Sequence, residues 1–217
     1  PASKQLKVKG KNVLCFGLIE GNSKINGENV LYDPQSPANP IPFSKTGSKA
    51  KNLVVVINLK EAEKICNSSD IKLINKFFFK VEKVKGLIVK MGAKGAVVYE
   101  GGKSYQIPVY KTENVWSIGS GDVFSSMVFH KWINGAKLVD AARFASRATA
   151  IYCNTKGFEF GIEHRGITAL KIKNIPKKSI YLAGPFFTFS QRWLINQIRN
   201  SLMAAGLKVF SPLHDVG

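Results

Sequence analysis

The sequence predicts an α/β layered fold, a mostly parallel sheet with helices packed on it, followed by a separate β-α-β unit. Three observations carry this expectation. Short apolar runs at residues 12–19 and 53–57 read as strands, the second β-branched and continuous, as in a parallel strand covered on both faces. Helical patterning takes over between residues 119 and 153, so that strands give way to helices. A strand-helix-strand pattern then recurs after a basic, proline-containing stretch at residues 171–178.

The first run closes at Glu20-Gly21-Asn22. Between it and residue 53 the sequence carries Asp33-Pro34, Ser36-Pro37, Asn39-Pro40 and Pro42, and reads as a loop too punctuated for helix. Residues 60–66 suit a short helix and residues 86–91 another inner strand. Residues 96–99 and 104–110 suit a hairpin turned at Gly101-Gly102. One helix is expected from the turn at residues 119–121 to Asn134-Gly135. A second is expected over residues 138–153, with Leu138, Ala142, Ala145, Ala148 and Tyr152 on one face. Farther on, residues 179–183 form a strand broken by Gly184-Pro185. Thr188 with Gln191 marks a capping box for a helix that runs to about residue 205 and stops at Gly206, and residues 207–210 are the next strand. The expected organisation is a main domain over residues 1–165, a linker over 166–178 and a partial domain over 179–217.

With 217 residues, 45% hydrophobic and 21% charged, the chain has ordinary globular composition and can bury a core. Its formal net charge of +18 raises nucleic acid, an anionic membrane or a phosphorylated small molecule as partner. The lysines are scattered in ones and twos without interleaved aromatics, which favours a solvated basic surface over a nucleic-acid face but leaves nucleic acid open. Cys15, Cys66 and Cys153 are widely spaced with no C-x-x-C pair, and the histidines stand alone, so a zinc site is not expected and a reducing cytoplasm is. No apolar stretch has membrane-spanning length.

Gly119-Ser120-Gly121-Asp122 leads directly into the apolar helical pattern Val123, Phe124, Met127, Val128. Small residues there let backbone N–H groups approach an anion, and the helix end adds positive potential. The same tetrapeptide also suits a tight turn with Asp122 placed favourably on the helix dipole. Both readings stand on these four residues alone. Two further motifs lie upstream, Asn58-Leu59-Lys60-Glu61 at a strand end and Lys90-Met91-Gly92-Ala93-Lys94-Gly95 between a strand and a hairpin.

In this order the three motifs resemble those of the ribokinase-like (PfkB-type) carbohydrate kinases: N-x-x-E, K-x-G-x-x-G, and D-T-x-G-A-G-D before a helix. The likeness covers about residues 11–161. It implies a three-layer α/β/α domain and an ATP-dependent kinase using Mg²⁺. Asp122 would be the general base toward the acceptor hydroxyl, and the amides of Gly119, Ser120 and Gly121 the anion hole. Asn58, Lys90, Gly92 and Gly95 would bind nucleotide, and Glu61 would hold Mg²⁺ through water. Trp116 and Ser117 stand where the family carries aspartate and threonine, so the resemblance does not extend to potassium activation. Nothing matches the family's N-terminal third, with its sugar-binding segment and lid strands; the chain is expected to be part of a longer or processed protein.

Residues 179–217 are similar to the opening of nucleoside 2-deoxyribosyltransferase-like domains, the first β-α-β unit of a Rossmann-like fold. The resemblance implies a ligand loop at Gly184, Pro185, Phe186 and Phe187; an ordinary β-α turn with two packed phenylalanines is the equal alternative. Three functions follow. The leading one is phosphorylation of a small-molecule sugar or nucleoside, with homo-oligomers left open. The others are a deoxyribosyltransferase or N-glycosidase with a nucleotide-sensing kinase-like part, and a basic nucleic-acid-binding module.

Overall fold

The computed structural model describes residues 6–17, 23–36, 38–158, 167–170, 179–204 and 207–216. Of the expected linker over 166–178, residues 166 and 171–178, together with the helix stop at Gly206 and the end of the first apolar run, lie outside the described residues. The chain divides into two compact units, Pro1–Met91 with Gly95–Leu170, and Gly92–Lys94 with Lys171–Gly217.

The first unit is built on a six-stranded sheet. Its strands are β1 (Leu6–Phe16), β2 (Ser23–Asp33), β3 (Lys49–Asn58), β4 (Gly86–Lys90), β5 (Ala96–Glu100) and β6 (Lys103–Ile107), lying side by side in that order. β1 to β4 run parallel, and β5 and β6 close the sheet as the expected antiparallel hairpin. Between them come α1 (Leu59–Cys66), α2 (Ile71–Lys76), which continues into a π turn over Phe77–Val81, and after them α3 (Ser120–Ile133) and α4 (Leu138–Thr155).

Alternation along β3 and β4 explains the layers. Val55, Ile57, Leu87 and Val89 face a core shared with Ala62, Ile74 and Phe78 of the α1–α2 side. Val54, Val56 and Ile88 face the opposite core, with Phe124 and Val128 of α3 and Leu138, Ala142 and Ala145 of α4. A sheet buried on both faces needs apolar residues at successive positions, which is what the run Leu53-Val54-Val55-Val56-Ile57 supplies. The small residues expected on one face of α4 are all buried. Alanines there let the helix lie close to α3 and the sheet.

One expectation is corrected. The stretch read as a loop before residue 53 contains β2, an eleven-residue strand. The proline signals at residues 34–42 follow the strand, and the bend inside it lies next to Gly27. Cys15 Sγ lies 3.7 Å from Ser23 Oγ, although the register sets Cys15 opposite Tyr32 and Leu6 opposite Ser23. An extended run from residue 23 to residue 32 would separate those ends by about 30 Å, so the strands fold over. The register skips Lys11, Glu28 and Lys51 at matching levels of β1, β2 and β3, next to Gly10 and Gly27. Just past the bend an asparagine ladder crosses the three strands, Asn29 Nδ2 donating to Asn12 Oδ1 at 2.8 Å and Asn52 Nδ2 to Asn29 Oδ1 at 2.9 Å.

In the second unit, β7 (Ser179–Tyr181) pairs in parallel with β8 (Lys208–Phe210), connected by α5 (Phe189–Ala204) and followed by the single turn α6 (Pro212–Asp215). The capping box forms as expected: Gln191 N–H donates to Thr188 Oγ1 at 3.3 Å, and Thr188 N–H to Gln191 Oε1 at 3.1 Å.

Candidate active site

The C-terminal ends of β2, β3 and β4 present Asp33, Asn58 and Lys90, with Lys90 directly opposite Asn58 in the register. In open α/β sheets this edge is where ligands are held, because loops and helix N-termini converge there. Asn58 starts α1: its Oδ1 accepts the Glu61 N–H at 2.8 Å, and its own N–H donates to Glu61 Oε2 at 3.2 Å. This reciprocal cap fixes both side chains. Glu61 is 2% exposed. Burial pushes its carboxyl above the usual range and the negative charge of Asp33 adds to that, while the Asn58 N–H and Lys90 pull the other way.

Lys90 Nζ donates to Asp33 Oδ2 at 2.6 Å, and Ser125 Oγ of α3 donates to the same oxygen at 2.7 Å. Asp33 is fully buried, and its Oδ1 has no hydrogen-bond partner among the described residues. The ammonium stays partly accessible, the Lys90 side chain being 20% exposed. It lies 3.7 Å from the point where a Gly121 side chain would begin. A charged lysine therefore sits against the N-terminal turn of α3.

That turn is shaped by Gly119, whose φ of 77° is left-handed. A side chain there would start 2.8 Å from the Tyr152 hydroxyl, which donates to the Ile118 carbonyl at 2.8 Å and so ties α4 to the turn. Ser120 was expected to lend its amide to an anion hole. Instead its N–H and Oγ both donate to the Ser117 carbonyl, at 3.2 and 2.7 Å. Val123 N–H donates to Gly119 O at 3.0 Å, the first bond of the helix proper. The amides of Gly121 and Asp122 are left without a partner among the described residues, as the first helical turn requires.

Asp122 is exposed, and one carboxylate oxygen accepts the side-chain amide of Gln35. Gln35 has a left-handed φ of 44°, a conformation that costs a residue with a side chain energy and so must be held by its surroundings. Gly95 opens β5 with φ 83°, and a side chain there would fall 2.0 Å from the Ile107 carbonyl. Gly92 has φ 57° at the single turn Gly92–Lys94. Trp116 donates its main-chain N–H to Cys153 O at 2.8 Å, and Lys156 Nζ lies 4.1 Å over its ring.

Lys90 thus links the strand-end motif at Asn58 and Glu61 with the turn at residues 119–122. A family profile, the pfkB family carbohydrate kinase, matches residues 23–165. The chain belongs to the pfkB family. That match contains Asp33, Gln35, Asn58, Glu61, Lys90 and the turn through Ser125.

Solved pfkB-fold structures show the same architecture. The ribokinase of Thermotoga maritima is 23% identical with a TM-score of 0.50, covering 66% of this chain and 46% of that one. A putative ribokinase II from E. coli is 20% identical with a TM-score of 0.50, covering 61% and 43%. The chain thus spans less than half the length of these solved structures. No curated protein matches it.

Asp33, Gln35 and Ser125 escaped the sequence reading. Asp33-Pro34 looked like turn punctuation, and the signal that could have exposed it was the apolar triplet Val30-Leu31-Tyr32 just before, which marks a strand ending on an acid. Nothing in the sequence pairs Ser125 or Gln35 with partners 92 and 87 residues away.

In the second unit the loop at Gly184, Pro185, Phe186 and Phe187 is held by its backbone. Phe187 N–H donates to Gln191 Oε1 at 3.0 Å and Arg192 Nε donates to Phe186 O at 2.8 Å. The two phenylalanine rings stack at 5.4 Å, with Phe187 80% exposed.

Proposed function

We propose that this chain carries the nucleotide-binding and catalytic part of an ATP-dependent kinase acting on a hydroxyl of a sugar or nucleoside. The observation that carries this reading is the convergence of two unpartnered amides, Gly121 and Asp122, with the Lys90 ammonium at one helix N-terminus. Such a site suits a phosphoryl group, whose transfer depends on alignment and charge neutralisation. Asp122, at the rim and open to solvent, takes the proton of the acceptor hydroxyl as general base. The turn at Gly119, Ser120 and Gly121 sets the position of the moving group, and Asn58, Lys90, Gly92 and Gly95 bind the nucleotide.

Glu61 receives the Asn58 N–H on Oε2, and one carboxylate oxygen acting through water fits magnesium, which retains most of its waters. Mg²⁺ held in this way supplies charge neutralisation on the phosphates. The decisive experiment is calorimetry of the folded chain with ATP and Mg²⁺, followed by phosphoryl transfer from ATP to a panel of pentoses, hexoses and nucleosides. Saturable binding at or below millimolar nucleotide is expected; its absence overturns the reading.

For the second unit, the exposed Phe187 ring, stacked on the half-buried Phe186, supports a loop that takes a nucleoside base by stacking, as in a nucleoside-processing domain. Nucleoside titration with Phe187→Ala as control tests it, together with an assay for nucleobase release without ATP. Unchanged affinity in the variant reduces the loop to an ordinary β-α turn.

A further inference from the structure

We infer that Asp33 is a positioning residue that stations the Lys90 ammonium at the N-terminus of α3 as the charged member of the phosphate site, with Ser125 holding the carboxylate in place. The inference rests on the kinase reading above and assigns the residues that make its anion site work.

A helix N-terminus carries positive potential, so an ammonium placed against it is repelled when no anion is present. Lys90 nevertheless sits there, 3.7 Å from the origin of a Gly121 side chain. What holds it is a 2.6 Å ion pair with Asp33, a carboxylate with no solvent exposure. Ser125 donates to the same oxygen from within α3, so the carboxylate is tied at once to the helix and to β4. One ammonium proton is taken by Asp33. The other two have no partner among the described residues, on a side chain that still reaches solvent.

A second observation points the same way. Asp33 Oδ1 is buried and has no hydrogen-bond partner among the described residues, and a native structure tolerates such an orphan where the group serves more than packing. In a dry environment the undivided carboxylate charge fixes the ammonium strongly, since little solvent screens the pair. The ligand that such a site takes carries more negative charge than two amides can serve: a nucleoside polyphosphate rather than a neutral sugar. Asp33 never touches it and acts through Lys90.

The test is a double-substitution cycle on Mg-ATP affinity in the full chain, with circular dichroism and thermal melting to confirm folding. Asp33→Asn and Lys90→Met are each expected to weaken binding by about tenfold or more, the range of a lost charge-assisted contact. The double variant is expected to bind no more weakly than Lys90→Met alone, to within about twofold, because Asp33 has no route to the ligand except Lys90. Ser125→Ala is expected to weaken binding by about two- to fivefold when Lys90 is present and not at all in the Lys90→Met background. That pair of measurements stands by itself if Asp33→Asn does not fold.

Additive losses in either cycle overturn the inference, and so does wild-type affinity in Asp33→Asn or, where only that pair is measured, in Ser125→Ala. If Mg-ATP fails to bind the wild-type chain, the kinase reading falls and takes this inference with it. Intact wild-type binding with an insensitive Asp33 removes this inference alone.

Discussion

At the scale of single residues, Asp122 and Glu61 are two carboxylates in opposite surroundings. Asp122 is exposed and accepts the Gln35 side-chain amide, a setting that suits the base role proposed for it. On the proposed kinase reading, Asp122→Asn is expected to lower kcat by about 10²-fold or more with nucleotide affinity preserved, measured by steady-state kinetics beside calorimetry. Glu61 is buried, and burial raises its carboxyl above the unfolded value. The folded state therefore holds the proton more tightly, and this group's contribution is fully present below the ordinary glutamate range and lost as pH rises through the raised value. Melting temperatures of Glu61→Gln against wild type, taken from pH 4 upward (about the ordinary glutamate range), are expected to shift in favour of the variant as pH rises through that window. Glutamine keeps the reciprocal cap, so parallel pH profiles would show that folding does not shift the titration of Glu61. The local structure at Asn58, Glu61, Lys90 and the glycine turn was legible from short motifs, because caps and glycine turns are written in four or five consecutive residues. Asp33, Ser125 and Gln35 were not, because their partners come from strands and helices far along the chain.

Among the elements, the turn into α3 depends on a residue that can adopt a left-handed conformation without meeting Tyr152. Gly119→Ala is expected to cost about 1–2 kcal/mol from conformation alone, seen as a fall of about 2–8 °C in melting temperature, with nucleotide affinity falling as the Tyr152–Ile118 tie is displaced. A variant melting like wild type would show that the turn relaxes freely. In the loop before it, Trp116 is 37% exposed and the Lys156 Nζ lies 4.1 Å over its ring. With a fixed cation over the ring and no carboxylate at this position, activity is expected to be nearly equal in potassium, sodium and choline chloride at matched ionic strength. A large potassium-specific increase would refute this. The inner strands β3 and β4, the β5–β6 hairpin and both long helices could be read from periodicity. β2 could not, since the prolines after Asp33 made the whole segment read as loop, while the bend next to Gly27 needs the neighbouring strands to be seen. α2 escaped because its six residues, Ile71–Lys76, are too few to show a helical period.

On the scale of the whole molecule, the layered α/β fold was legible because both cores are written into one continuous apolar strand and its flanking helices. The net charge of +18 is spread over the chain and does not by itself choose a partner. It has a measurable consequence all the same: Mg-ATP binding is expected to weaken with added salt only modestly, whereas a nucleic-acid ligand would show a steep salt slope from the release of many counterions. Trp116 carries a different kind of consequence. The chain has three tryptophans, and Trp116 lies in the loop that leads into α3, with the Lys156 ammonium at the C-terminal end of α4 4.1 Å from its ring. Its light emission therefore responds to the distance between the loop and that charge. With Trp132 and Trp193 replaced by phenylalanine, the chain becomes its own optical gauge, reporting by colour and intensity, without any attached dye, each time the loop rearranges.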